Sequence, residues 1–140
     1  MSTDTTEEIT RYIPQRPPFV IVDKVLYDDD TITRTSFLVK DDNIFIEDGR
    51  LEAAAMVENI AQTAAAGAGY KAVHRHEAVK VGFIGAIKSL KIFGLPRPGE
   101  TLLTETKLVN MVFSVSIVEG TVRCGDQVIA TCEMKIFLQP

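Results

Sequence analysis

The chain has 140 residues, enough for one ordinary domain with a real hydrophobic core. With 46% hydrophobic and 24% charged residues it is a globular protein, neither disordered nor membrane-spanning. A net charge of −4 excludes the basic footprint of a nucleic-acid binder. Two cysteines, Cys124 and Cys132, are too few for a metal site or a disulfide framework. Both are expected to be reduced thiols of a cytoplasmic protein, with no zinc and no other metal.

The first ten residues, MSTDTTEEIT, are acidic and polar and lack the basic-then-apolar pattern of a secretory signal. Thr3 to Arg11 predicts a short helix, with Asp4 or Thr5 as cap and Glu7 and Glu8 in its first turn. Pro14, Pro17 and Pro18 then impose an extended lead-in. Phe19 to Tyr27 and Thr31 to Val39 predict a hairpin, with the acidic triplet Asp28-Asp29-Asp30 as a solvated turn. Asp41 to Arg50 is expected to be a loop.

Leu51 to Tyr70, within a helix placed at residues 50–72, is apolar or small on nearly every side. A surface helix shows a polar face, so this one belongs in a core. Its alanines, with Gly67 and Gly69, let other backbone wrap closely around it. Glu58 stands out, because a carboxylate on such a helix is costly to bury unless it is paired or neutralised. The stretch that follows, KAVHRHEAVK, is polar, and His74 and His76 are two apart and do not share a helix face.

Val79 to Phe93 predicts a strand interrupted at Gly82 and Gly85, and Leu95 to Gly99 a turn. Thr101 to Val109, Met111 to Arg123 and Gln127 to Leu138 predict an antiparallel meander. In the last strand Val128, Ala130, Cys132, Met134, Ile136 and Leu138 share one face; in the middle strand Met111, Phe113, Val115 and Ile117 alternate with Ser114 and Ser116. The class is therefore α+β, a one-faced antiparallel sheet curled around a single long helix in one domain, 1–140. Such a layer leaves the helix's far side and the sheet edges uncovered, which predicts a dimer.

Several segments resemble the 3-hydroxyacyl-carrier-protein dehydratases of fatty-acid synthesis. Ile13-Pro14-Gln15-Arg16-Pro17-Pro18-Phe19-Val20-Ile21-Val22-Asp23-Lys24-Val25 is similar to the opening L-P-H-R-x-P-F-L-L-V-D-R-V, with Gln15 at the histidine position. Val57-Glu58-Asn59-Ile60-Ala61-Gln62 is similar to x-E-x-M-A-Q. Phe83-Ile84-Gly85, Lys88, Pro98-Gly99-Glu100 and the strand from Gly125 to Met134 resemble later parts of that family. The resemblance implies the hotdog fold, a dimer whose two sheets join, and acyl tunnels at the dimer interface. It also implies a carrier-protein or coenzyme A thioester as ligand and no cofactor.

In that family a histidine of G-H-F-P-x-x-P-x-M-P-G-V takes the proton alpha to the thioester. The helix carboxylate, on the opposite subunit, protonates the departing 3-hydroxyl, and backbone N–H groups near the helix start polarise the carbonyl. Carried back without a gap from Glu58, the motif places its histidine on Ile44 and its phenylalanine on Phe45. Its prolines fall on Ile46, Gly49 and Glu52, and its later glycine on Ala53. No histidine lies between Met1 and Tyr70.

The resemblance thus assigns Glu58 as the acid, Gln62 as the group that orients it, and Ile44, Phe45, Ala53 and Ala54 as substrate contacts, with the base absent. Three readings stay open. The first is a dehydratase-like protein, alone or completed by a histidine-bearing related subunit in a homodimer or heterodimer. The second is a thioesterase using Glu58, and the third a non-catalytic chain, either a subunit that binds an acyl chain or carrier or one in which Glu58 merely makes buried hydrogen bonds, as with Gln62 one turn on. Lys88, Lys91 and Arg97 are a basic group suited to an acidic carrier protein, or plain surface charge. No nucleic-acid or membrane partner is expected.

Overall fold

The structure, a computed structural model, describes residues 8–139. It opens with a single 3-10 turn, Ile9–Arg11; the rest of the helix expected from Thr3 lies outside the described residues. The remaining elements are β1 (Lys24–Asp28), β2 (Ile32–Leu38), β3 (Ile46–Glu47), β4 (Arg50–Leu51), α1 (Ala53–His74), β5 (Gly82–Ile92), β6 (Thr101–Val112), β7 (Val115–Cys124) and β8 (Gln127–Leu138). Six strands form one antiparallel sheet in the order β1-β2-β6-β7-β8-β5, and β3 pairs with β4 in a separate ribbon. This is the curved sheet around one helix that the resemblance implies.

The sheet curls because its ladders carry irregularities. Register shifts occur at Val25/Tyr27, Ile84/Ala86, Lys88/Lys91, Leu108/Asn110 and Val122/Arg123, and each bulge bends its strand and increases the twist. The one at Val122/Arg123 lies opposite Val128 and Ala130, so Ile129 drops out of the ladder. Ile129 and Ala130 are therefore both buried, which explains the apolar exception in an otherwise alternating strand. The sheet's concave face and α1 enclose Leu51, Met56, Ile60, Leu102, Val122, Ala130 and Met134, all fully buried. A second cluster seals the far half of the helix, where Tyr12, Ile13, Val22 and Val25 pack on Ala66 and Tyr70.

Several boundaries differ from the sequence expectations, each for a physical reason. The helix starts at Ala53 because Leu51 is held in β4, opposite Ile46, and gives its N–H to the Pro96 carbonyl at 2.8 Å. The expected loop 41–50 thus contains a small ribbon. At the other end α1 continues through Lys71–His74, because Lys71 finds a buried partner and His74 stacks on Tyr70 with ring centroids 4.0 Å apart. Residues 19–23 lie outside β1: the Phe19 carbonyl and both backbone groups of Ile21 bond to helix side chains, and the Asp23 N–H reaches the Ser36 carbonyl of β2. The turn between β6 and β7 falls at Phe113 and Ser114, not at Asn110. Phe113 takes a left-handed φ of 56° and is 97% exposed.

That shift reverses the face assigned to β7. The inward row is Val118, Gly120 and Val122, and Ser116 shares its parity. Val115 and Ile117 belong to the other face.

Candidate functional site

The site is built from two residues one helical turn apart. Glu58 is half-buried, and its Oε2 accepts a hydrogen bond from Gln62 Nε2 at 2.6 Å. Gln62 is fully buried. Its Nε2 also donates to the Phe19 carbonyl at 2.8 Å, and its Oε1 accepts the Ile21 N–H at 2.8 Å. The neighbours fix the amide's orientation: a carbonyl and a carboxylate need a donor on one side, an N–H needs an acceptor on the other. The Glu58 carboxylate is thereby held at one point, with Oε1 left for a ligand.

A second polar residue, which the sequence did not single out for a role, reinforces this frame. Asn59, fully buried, donates from Nδ2 to the Ile21 carbonyl at 2.7 Å and accepts from Thr104 Oγ1 at 2.5 Å. Thr63 donates back to the Asn59 carbonyl and bonds to Thr35 on β2. Buried amides must be satisfied or they cost stability, and here they tie residues 19–21 to the helix and to β6. The signal available in the sequence was the polar run Glu58, Asn59, Gln62, Thr63 on an otherwise apolar helix.

Beside Glu58 runs a cleft of ≈ 490 Å³ between the helix and the open side of the sheet. Its floor is the small-residue row Ala61, Ala64, Ala65 and Ala68, and its opposite wall includes Phe83, Leu108, Met111, Val118, Ile136 and Leu138. Ser116 reaches it too, as its inward position requires. The far end is polar, with Gln15, Asp30, Thr31, Lys71, Arg75 and Lys80. A carboxylate set at one end of a long apolar trough suits an acyl chain with a reacting carbon near its head.

The other candidate residues stand elsewhere. Ile44 is 50% exposed, and Phe45 packs against the core beneath the β3–β4 ribbon. Ala53 and Ala54 form the first turn of α1, where free N–H groups point outward. None of the four lines the cleft that holds Glu58. Glu52, just before them, has its carboxyl lifted above the ordinary range by a hydrogen bond to Glu47, with burial and the Glu47 charge adding to the effect. Lys88, Lys91 and Arg97 are all exposed, and Lys88 faces Glu133 across the β5–β8 ladder.

The acidic triplet is not a uniformly solvated turn. Asp28 is buried at 4%, accepting from Thr33 Oγ1 at 2.7 Å and pairing with Lys71 Nζ at 2.8 Å. Asp29 accepts from the Tyr27 hydroxyl and from the N–H groups of Ile32 and Thr31. These bonds, the tyrosine's first, hold its carboxyl down at about 2. Only Asp30 is fully out in water. The histidines are remote: His74 bonds the Tyr70 carbonyl through Nδ1 at 2.8 Å, sixteen residues and about 24 Å along the helix from Glu58.

A curved antiparallel sheet around one helix, with a fixed helix carboxylate over an apolar cleft, defines a hotdog-fold protein of dehydratase type. Residues 7–140 match the family described as ApeP-like, ApeP dehydratase, and the chain belongs to that family. It is 27% identical to a 3-hydroxyacyl-[acyl-carrier-protein] dehydratase FabZ of Clostridium kluyveri over 135 residues, 94% of each chain. In structure it is similar to the dehydratase heterocomplex ApeI:P from Xenorhabdus doucetiae, with TM-score 0.89, 21% identity, and 96% and 92% of the two chains covered. A hypothetical thioesterase protein with coenzyme A from Streptococcus pneumoniae shares the fold at TM-score 0.67 and 8% identity, covering 83% and 84%. Among the described residues, no helix is long and apolar enough to cross a membrane.

Proposed function

We propose that this chain supplies the acid half of a 3-hydroxyacyl-thioester dehydratase site, and that a related, histidine-bearing subunit supplies the base. The observation that carries this is the pairing of a Glu58 carboxylate immobilised by Gln62 with an apolar cleft that no histidine of the described chain lines. In the reaction, the partner's base removes the proton alpha to the thioester. Glu58 gives its proton to the 3-hydroxyl, which leaves as water, and the product is the 2-enoyl thioester. The thioester carbonyl is polarised from outside this chain's cleft, which Ile44, Phe45, Ala53 and Ala54 do not line. The substrate is carried on an acyl carrier protein or coenzyme A in the cytoplasm.

The partner joins at β5. This strand is a sheet edge, bonded only to β8, and exposes Phe83, Ile84, Ile87 and Leu90, with Phe93 just beyond its end. A long apolar edge needs covering, and the similar ApeI:P structure is a dehydratase heterocomplex.

The test is dehydration of a 3-hydroxyacyl-carrier thioester by this chain, by a histidine-bearing dehydratase from the same genome, and by both together. The pair is expected to convert substrate to 2-enoyl product, and Glu58→Gln in this chain to lower the rate about 10²–10⁴-fold. Full activity with Glu58→Gln overturns the assignment. Hydrolysis of the thioester by the chain alone, abolished in Glu58→Ala, supports the thioesterase reading in its place.

A further inference from the structure

We infer that Thr106 is a specificity-determining residue of the cleft, its hydroxyl meeting a hydrogen-bonding group that the bound thioester carries about 7 Å along the cleft from Glu58. The inference rests on the acyl-thioester reading above and adds to it a ligand chemistry at a stated depth.

Tyrosines and cysteines apart, eight polar or charged side chains are buried among the described residues. Seven of them are hydrogen-bonded through the side chain. Thr33 donates to Asp28, Thr35 and Thr63 bond each other, Thr104 donates to Asn59, and Gln62 makes three bonds. The eighth is Thr106, 3% exposed, whose hydroxyl has no partner among the described residues. Its setting on the sheet explains this. On one side stands Thr33, which gives its hydroxyl to Asp28, and on the other Gly120, which has no side chain.

The hydroxyl is nevertheless open to a ligand. Among the described residues, the only fully enclosed side-chain nitrogen or oxygen without a partner is Gln15 Oε1. Thr106 Oγ1 therefore keeps some open surface, and the space that Thr106 lines is the cleft. A buried hydroxyl left free while its seven counterparts are satisfied asks for a reason.

The depth follows from the strand. Thr104, two residues earlier on β6, bonds Asn59, the neighbour of Glu58 on the helix. Two residues later, Leu108 gives its N–H to the carbonyl of Thr31 at the polar far end. Thr106 thus stands about 7 Å beyond Glu58, two strand residues toward that end. The next inward positions on the sheet are Leu108 and Val118, and the helix offers Ala61 and Ala64. A wholly apolar ligand segment there would strip water from the hydroxyl and return nothing, whereas a polar group at that depth would satisfy it. A threonine hydroxyl both donates and accepts, so a hydroxyl, a carbonyl or an amide would serve.

Two parts of a thioester can bring such a group: an oxygen on the acyl chain, or an amide of the pantetheine arm. Non-hydrolysable thioethers separate them. Alkyl chains, plain or with one hydroxyl at successive positions, are attached either to pantetheine or to a methyl sulfide without amides. Binding to the assembled protein is measured by calorimetry for wild type, Thr106→Val, which keeps the shape, and Thr106→Ser, which keeps the hydroxyl. In wild type we expect one hydroxyl position, or pantetheine over methyl sulfide, to be preferred. Thr106→Val should weaken the preferred probes about three- to tenfold and leave the plain methyl sulfide chains unchanged or tighter. Thr106→Ser should retain the preference. A preference for one chain position assigns the acyl chain, and one shared by all pantetheine probes assigns the arm. No preference in wild type, or one that survives in Thr106→Val, overturns the inference and leaves the dehydratase reading intact. An equal loss for every probe in Thr106→Val does the same, since the hydroxyl then serves only the fold. Failure of every probe to bind wild type overturns both.

Discussion

The small residues of the central helix serve opposite ends. Gly67 and Gly69, two apart and so on different sides of the helix, are sealed against other elements. A Cβ on Gly69 would overlap the Tyr12 carbonyl, and one on Gly67 the Thr33 hydroxyl. Ala61, Ala64, Ala65 and Ala68 instead form the open face that borders the cleft. Smallness at the sealed positions admits a neighbouring carbonyl or hydroxyl; on the open face it leaves room for a ligand. A change of one methyl group should therefore be felt as lost stability at the first and as altered binding at the second.

The sealed positions are tested most severely at Gly69. In an ordinary helix interior glycine to alanine is favourable by about 1 kcal/mol. Here the added carbon meets backbone that cannot rotate away, and Gly69→Ala is expected to destabilise by about 3 kcal/mol. Denaturant titration checks the sign as well as the size, and a stabilised variant would break the contrast between the sealed glycines and the open alanines. Gln62→Leu should cost a comparable amount in the same titration: it strands the buried Ile21 N–H, at about 1–3 kcal/mol if left unpaired, removes the partner of the part-buried Phe19 carbonyl, and frees Glu58.

The open face is tested by Ala68→Leu. The side chain projects into the cleft with no neighbour to displace, so stability should change by no more than about 0.5 kcal/mol. Affinity for an acyl thioether should fall about tenfold. A variant that loses stability and keeps its ligand would show that the cleft is core rather than site.

The smallest effect is expected at the tip of the β1–β2 hairpin. Asp29 titrates at about 2, below its ordinary 3.8, chiefly because the Tyr27 hydroxyl bonds the charged form. A lowered folded-state value means stability that is present above 3.8 and lost as pH falls through about 2. The group is solvent-exposed, so the change should be slight; comparing acid unfolding of wild type and Asp29→Asn by circular dichroism measures it. In the variant the acid limb should be shallower over that window. An identical limb would show that these bonds persist after protonation.

Most of the architecture was legible because it follows from local patterns. β8 spans Gln127–Leu138 as its alternation indicates, and the buried central helix follows from its lack of a polar face. The errors arose where a partner distant in sequence decides. The inward parity of β7 depends on whether Ser116 or Val115 faces the helix, and Ser116 does, because part of the sheet's inner surface faces the cleft instead of core. Asp28 reads as one of three turn acids until Lys71, forty-three residues away, reaches it.

The site divides in the same manner. Glu58 and Gln62 could be picked out from their i,i+4 spacing on an apolar helix. The clamp on Gln62 could not, since its partners Phe19 and Ile21 lie more than forty residues away, and nothing in Gln15 itself announced a cleft residue. The sequence alone determined the helix, the alternating strands and the carboxylate, all of which depend on periodicity and side-chain type. The tertiary structure decided which alanines face space, which helix glycine faces backbone and which a side chain, because each depends on what arrives across the fold.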